Sequence, residues 1–215
     1  MQKEMRIKKF KEEQLKLAKK VIVKDDFEEI KLVGGVAQTF IGTKVISGFV
    51  VCDYKTMEII ERKYAVVEAS VPYIPGFLSY REAPAVVEAF LKLENKPDII
   101  LVEAHGIAHP RKFGMASHIG LLLDKPTIGI AKNLLVGDIN DNKIIVKEEA
   151  RGFSLTAKEH ANPIFISPGH KISLKTSLEI TKNCMRLPHK LPEPIHLAHR
   201  YSKKIREKLN LNSNT

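Results

Sequence analysis

Apolar residues at Phe10, Leu15, Leu17 and Ala18 recur at helical spacing among lysines and glutamates, which predicts an amphipathic opening helix over 10–20, ending near Val21-Ile22-Val23. From Ile30 the period changes to that of strands. Three runs, 31–36, 44–52 and 58–67, are separated by turn-length segments at Ile41-Gly42-Thr43 and Asp53 to Met57, and they predict a three-strand antiparallel meander. After a loop punctuated by Pro72, Pro75 and Gly76, the stretch 79–93 sets Ala83, Val86, Val87, Phe90 and Leu91 on one helical face. The run 98–102 is almost wholly apolar, as a strand buried on both faces requires. A helix over 113–123 and a strand over 127–131 complete a βαβ unit, which Ile164-Phe165-Ile166 and a helix over 174–184 extend. The pattern predicts one α/β domain over 1–215, a mixed central sheet with flanking helices and neither repeat nor linker.

Composition changes this picture little. With 44% hydrophobic and 28% charged residues over 215 positions, the chain is ordinary globular material. It holds no run near the ~20 apolar residues of a membrane span, and its opening lacks the apolar segment of a secretory leader, so a cytoplasmic protein is expected. Cys52 and Cys184 match no zinc spacing and read as packing residues.

Charge changes it more. Residues 1–24 carry 9 Lys/Arg against 3 Glu, residues 182–208 carry 8 against 2, and the remainder is nearly balanced. Basic helical ends, about 1–24 and 195–209, suit a protein that grips a phosphate backbone, although solvated lysine faces would look the same.

Two segments could carry chemistry. Glu103-Ala104-His105-Gly106-Ile107-Ala108-His109-Pro110-Arg111 begins where the strand 98–102 ends, and ligands of open α/β sheets collect at such carboxyl ends. A carboxylate directly after four apolar residues needs a partner, and a divalent ion is one; a solvated loop is the alternative. Lys132 reaches the same sheet edge if the two strands are parallel. In Pro72-Tyr73-Ile74-Pro75-Gly76, two prolines stiffen a loop that could act as an apolar wedge between bases, or face the core.

Together these residues resemble the endonuclease V family, nucleases of repair and RNA processing that recognise deaminated adenine. The likeness rests on Pro72 to Gly76 with Arg81-Glu82, on His105 to Arg111 with Phe113-Gly114, on Thr127 to Lys132, on Ser167-Pro168-Gly169-His170 and on Leu197-Ala198-His199, which follow in family order across most of 30–200. It implies a ribonuclease-H-like fold and Mg²⁺, or Mn²⁺ in its place, as cofactor. Tyr73, with Pro72, Ile74 and Pro75, looks like the strand-separating wedge, and the backbone near Gly106 and Gly114 resembles the pocket for a flipped hypoxanthine. Glu82 looks like the catalytic glutamate, Glu103 occupies a metal-binding aspartate position, and His109, Lys132 and His199 match positions supporting the scissile phosphate. The resemblance further implies a monomer acting on inosine-containing DNA or RNA, cutting the second phosphodiester 3′ of the inosine to leave a 3′-hydroxyl and a 5′-phosphate.

Two departures concern the metal. Where the family motif reads Gly-Val-Asp, this chain has Gly35-Val36-Ala37, and Glu103 is one methylene longer than aspartate. Gln38 should point to the opposite strand face and is no replacement. Ala37 is either a deliberate Asp-to-Ala change of the kind that traps uncut substrate, or a natural loss that leaves a non-cleaving binder of inosine strands; a general nucleic-acid coating protein is a third reading. Poor cleavage is expected in each case.

Overall fold

The computed structural model describes residues 2–157 and 162–212, and within them one nine-stranded sheet is flanked by helices. β1 (Leu32–Ile41), β2 (Lys44–Asp53) and β3 (Ile59–Glu68) form the expected antiparallel meander. Gly42 makes its first turn possible with a φ of 56°, a conformation that costs a residue without Cβ little. α2 (Leu78–Leu91) then leads to β4 (Ile99–Val102), parallel to β1, and α3 (Met115–Leu123) leads to β5 (Thr127–Ala131), parallel to β4. The order β3-β2-β1-β4-β5 is the ribonuclease-H-like arrangement, and the sheet continues with β9 (Ile164–His170), antiparallel to β5. Beyond β9 it runs on through β8 (Glu149–Leu155), β7 (Lys143–Val146) and β6 (Asp138–Asn140), three strands that the apolar pattern did not announce.

Strand alternation divides the core into two layers. Val33, Ala37, Ile99, Leu101, Ile128 and Ile130 face α4 (Leu174–Asn183) and α5 (Glu193–Asn212), whereas Val36, Phe49, Ile100 and Val102 face α2 and α3. Fully buried residues such as Phe49, Ile100 and Ile130 each stabilise the fold by about 1.5–3 kcal/mol. Burial pushes the thiols of Cys52 and Cys184 up to about 12, which leaves them inert packing groups.

α5 lies unusually close to the sheet because two glycines sit beneath it. A Cβ on Gly35 would fall 2.1 Å from the backbone of Pro194, and one on Gly48 would fall 2.9 Å from Ala198 O. This approach lowers the His199 end of the helix onto the carboxyl edge of β1 and β4.

The opening helix differs from its sequence reading. α1 spans Gln2–Ala18, so it starts earlier, and its Leu15 is exposed while Gln14 is buried. Phe10 stacks on Tyr80 at 3.9 Å between ring centroids, and Gln14 lies one helical turn further on the same stripe, so a polar side chain takes the inward position.

Candidate active site

Parallel pairing of β1 with β4 puts Val36 beside Val102, so Ala37 and Glu103 are neighbours at the carboxyl edge, where Glu103 N–H donates to Val36 O at 3.1 Å. β5 lies on the other side of β4 and delivers Lys132 directly after Ala131, as the sequence suggested for parallel strands. Lys132 Nζ pairs with Glu103 Oε1, and His199 Nδ1 stands 3.1 Å from Glu103 Oε2. Both oxygens of Glu103 are thus engaged by this chain's own cation and imidazole. Because a carboxylate only accepts, the His199 proton sits on Nδ1, and Nε2 is left as an acceptor.

Glu82 comes from α2 and is 5% exposed. Burial raises its carboxyl to about 7, with Arg81 opposing the shift and the charge of Glu103 adding to it. Since the folded protein holds this proton more tightly than the unfolded chain, stability should fall as pH rises from about 4.5 to about 7 and stay reduced above that, by on the order of 3 kcal/mol. Glu82→Gln should therefore be more stable than the parent at pH 8 and equal to it at pH 4. Denaturation curves at the two pH values check this, and a constant difference between the proteins would remove the buried charge from the account.

Among the described residues no three His, Cys, Asp or Glu side chains converge as a metal cluster. Glu82 and Glu103 remain, and two mutually repelling carboxylates suit Mg²⁺, which keeps several waters and takes few protein ligands. They fit a loosely held ion. Ala37, wholly buried in the same cluster as Ala198 and Ile195 of α5, supplies no third oxygen. Gln38 follows it on the opposite face, as expected, with a buried Nε2 that has no partner among the described residues.

The second part of the site is a cavity of about 160 Å³ beneath the loop 72–76, lined among others by Tyr73, Gly76, Ala104, His105, Gly114 and Gln14. Tyr73 is 66% exposed at its rim. The loop is held at Gly76 O, which accepts from Arg111 Nη2 at 2.7 Å, Gln14 Nε2 at 3.1 Å and His109 Nε2 at 3.2 Å. His109 therefore braces this loop: its Nδ1 accepts from Arg111 N–H, and burial together with Arg111 lowers its pKa to about 4. Both of its ring nitrogens thus engage backbone groups. His105 donates from Nε2 to Asn133 O at 3.0 Å, which leaves Nδ1 a buried acceptor without a partner among the described residues.

Gly106 lies behind the cavity wall. Its N–H donates to Ser167 Oγ at 2.8 Å and its O accepts from Gly114 N–H at 3.0 Å, so it ties the loop 103–114 to β9. The sequence reading missed Gln14. A glutamine among the lysines and glutamates of a terminal helix gives no signal that it will turn inward.

The family described as Endonuclease V matches residues 15–200 of this chain. An Endonuclease V of Dictyoglomus turgidum is 42% identical over 200 residues, covering 89% of this chain and 87% of that one. One of Thermofilum pendens is 36% identical over 195 residues, covering 88% and 84%. Among solved structures, the catalytic domain of human Endonuclease V superposes with a TM-score of 0.87 at 27% identity, covering 97% of this chain and 99% of that one. Ciona intestinalis Endonuclease V, in complex with a 24mer DNA containing an inosine followed by a ribo-adenosine, superposes with a TM-score of 0.87 at 29% identity, covering 95% and 99%.

Proposed function

Since the chain belongs to the endonuclease V family, we propose that it is an inosine-directed, Mg²⁺-dependent nuclease whose cleavage is impaired by Ala37 while its binding of inosine-containing DNA or RNA persists. The observation that carries this reading is Glu103, neighboured by Glu82, Lys132 and His199 at the carboxyl edge of β1 and β4, with an alanine methyl completing the ring. The cut is assigned to the second phosphodiester 3′ of the inosine. Glu82 and Glu103 would hold the ion, which when bound neutralises phosphate oxygens and lowers the pKa of a water ligand. Lys132 would meet a phosphate oxygen, and His199, bare at Nε2, would take there the proton that the attacking water loses.

Recognition uses the other half of the site. Extruding a base costs a few kcal/mol of stacking, less for a mismatched inosine, and an exposed ring at the cavity rim replaces part of what is lost.

Binding tests this half of the proposal. Tyr73→Ala should weaken the affinity for an inosine strand by ~1–3 kcal/mol, with a smaller loss for the matching adenine strand. Fluorescence anisotropy on both strands measures it. Unchanged discrimination between inosine and adenine would take the wedge role away from Tyr73.

A further inference from the structure

Outside the site, the edge strand β3 and the helix α5 enclose an open groove of about 590 Å³, floored in part by Ile59, Leu197 and Tyr201. Its walls carry Arg62 from the strand and Arg200, Lys203 and Lys204 from the helix, against the single carboxylate of Glu207. None of these four cations lies within ion-pair distance of a carboxylate among the described residues. The neighbouring Lys63 points to the other face of β3 and is paired with both Glu61 and Glu94. The groove thus gathers uncompensated positive charge where the opposite face neutralises it.

Aromatic rings interleave with the cations. The Arg62 guanidinium stands 5.6 Å from the centroid of the Tyr201 ring, and Tyr64, 39% exposed, meets Tyr201 edge-on at 6.2 Å. Unpaired cations with exposed rings along an open channel are what a nucleic-acid strand needs: charges for its phosphates and flat surfaces for its bases. We propose that this groove binds single-stranded nucleic acid regardless of sequence, as an extension of the inosine site along the same strand. This rests on the nucleic-acid reading above and adds where the strand continues.

Continuity along α5 supports the placement. His199 turns toward Glu103, and Arg200, Tyr201, Lys203 and Lys204 follow on the groove side within about one and a half helical turns, roughly 7.5 Å of axis. A strand held at the sheet edge reaches the groove by crossing this helix. An acidic protein would also meet the charge, but the interleaved tyrosines favour bases.

The experiment compares the full chain with Arg200→Gln/Lys203→Gln/Lys204→Gln, three exposed positions whose neutralisation leaves the core intact. Labelled inosine strands of about 6 and about 20 nucleotides, bracketing a single-strand site, are titrated at several salt concentrations. The triple variant should lose about tenfold in affinity for the long strand, with the slope of log affinity against log salt shallower by about 2, and should bind the short strand as the parent does. Arg62→Gln/Tyr64→Ala, on the facing wall, should give the same length-dependent loss.

Parental affinity of both variants for the long strand, in a parent that still separates inosine from adenine, would overturn the groove and leave the inosine reading standing. A parent that binds neither strand overturns both. Unchanged strand affinity with lost binding of polyglutamate would give the groove to an acidic protein partner instead.

Discussion

Ala37→Asp is expected to raise single-turnover cleavage of an inosine strand by ~10²-fold or more at saturating Mg²⁺, with little change in strand affinity. β1 fixes where the new carboxylate goes. Position 37 faces α5, beside Glu103 in the register and wholly buried, so an aspartate there joins Glu103 at the one edge where His199 and Lys132 converge. Without it, Glu103 is satisfied by Lys132 and His199 alone, and a divalent ion must displace these partners while gaining only one further carboxylate from Glu82.

The buried charge has a cost in the absence of an ion, because a desolvated carboxylate must be paired or protonated. Mg²⁺ should consequently raise the melting temperature of the Ala37→Asp protein more than that of the parent. This readout does not depend on turnover. Glu103→Gln in the Ala37→Asp background should abolish both gains if the two residues share one ion. Equal cleavage by the parent and the Ala37→Asp protein would sink the carboxylate assignment, and vigorous cleavage by the parent would show that this chain builds its metal site without position 37.

How far the sequence discloses the molecule depends on how much apolar surface each element buries. β1, β2, β4 and β5 are long or wholly buried apolar runs, and each was legible with its pairing partner. The strands β6, β7 and β8 were not. β6 is three exposed residues, Asp138-Ile139-Asn140, too short and too polar to stand out from a loop. Its turn could have been read, since Asp141 and Asn142 adopt φ of 47° and 61° and such residues favour a two-residue hairpin of that hand. The next turn could not: Lys147 and Glu148 take φ of 51° and 65°, against their own preference, because Ile144, Val146 and Phe165 pack together beneath them.

The site divides in the same way. Glu103 and Lys132 follow from two parallel strands, so their meeting could be foreseen from topology. His199 could be paired with them only through the family likeness, since nothing in Leu197-Ala198-His199 states that α5 crosses the edge of β1. That crossing is set by Gly35 and Gly48, two positions at which the absence of a side chain is the information.

Gly106→Ala should be among the most damaging glycine-to-alanine changes in the described structure, costing at least about 3 kcal/mol and lowering the melting temperature by about 6–12 °C. Ordinary overpacking is relieved when a flexible side chain moves aside. Here the added Cβ would lie 1.9 Å from Pro168 O and 2.9 Å from Ser167 O, both backbone atoms of β9, so the loop 103–114 must part from the sheet. That parting breaks the bonds Gly106 N–H to Ser167 Oγ and Ile107 N–H to Pro168 O, and leaves their partners buried and unsatisfied. Function should go with stability, because the same loop carries His105 and Gly114 into the cavity and holds Glu103 at its start. Gly76→Ala is the control from the opposite wall. Its φ of 77° makes alanine strained there, and the nearest obstacle, Arg111 Nη2 at 3.0 Å, must shift at the expense of its bond to Gly76 O, but no backbone atom stands in the way. The loss should then be about 1 kcal/mol, the ordinary cost of a left-handed non-glycine residue. Thermal melts and inosine binding of the two variants decide between two roles for Gly106. A protein that melts like the parent and loses only its preference for inosine would mean that Gly106 meets the base directly; a large drop in melting temperature would mean that it seals the wall behind it.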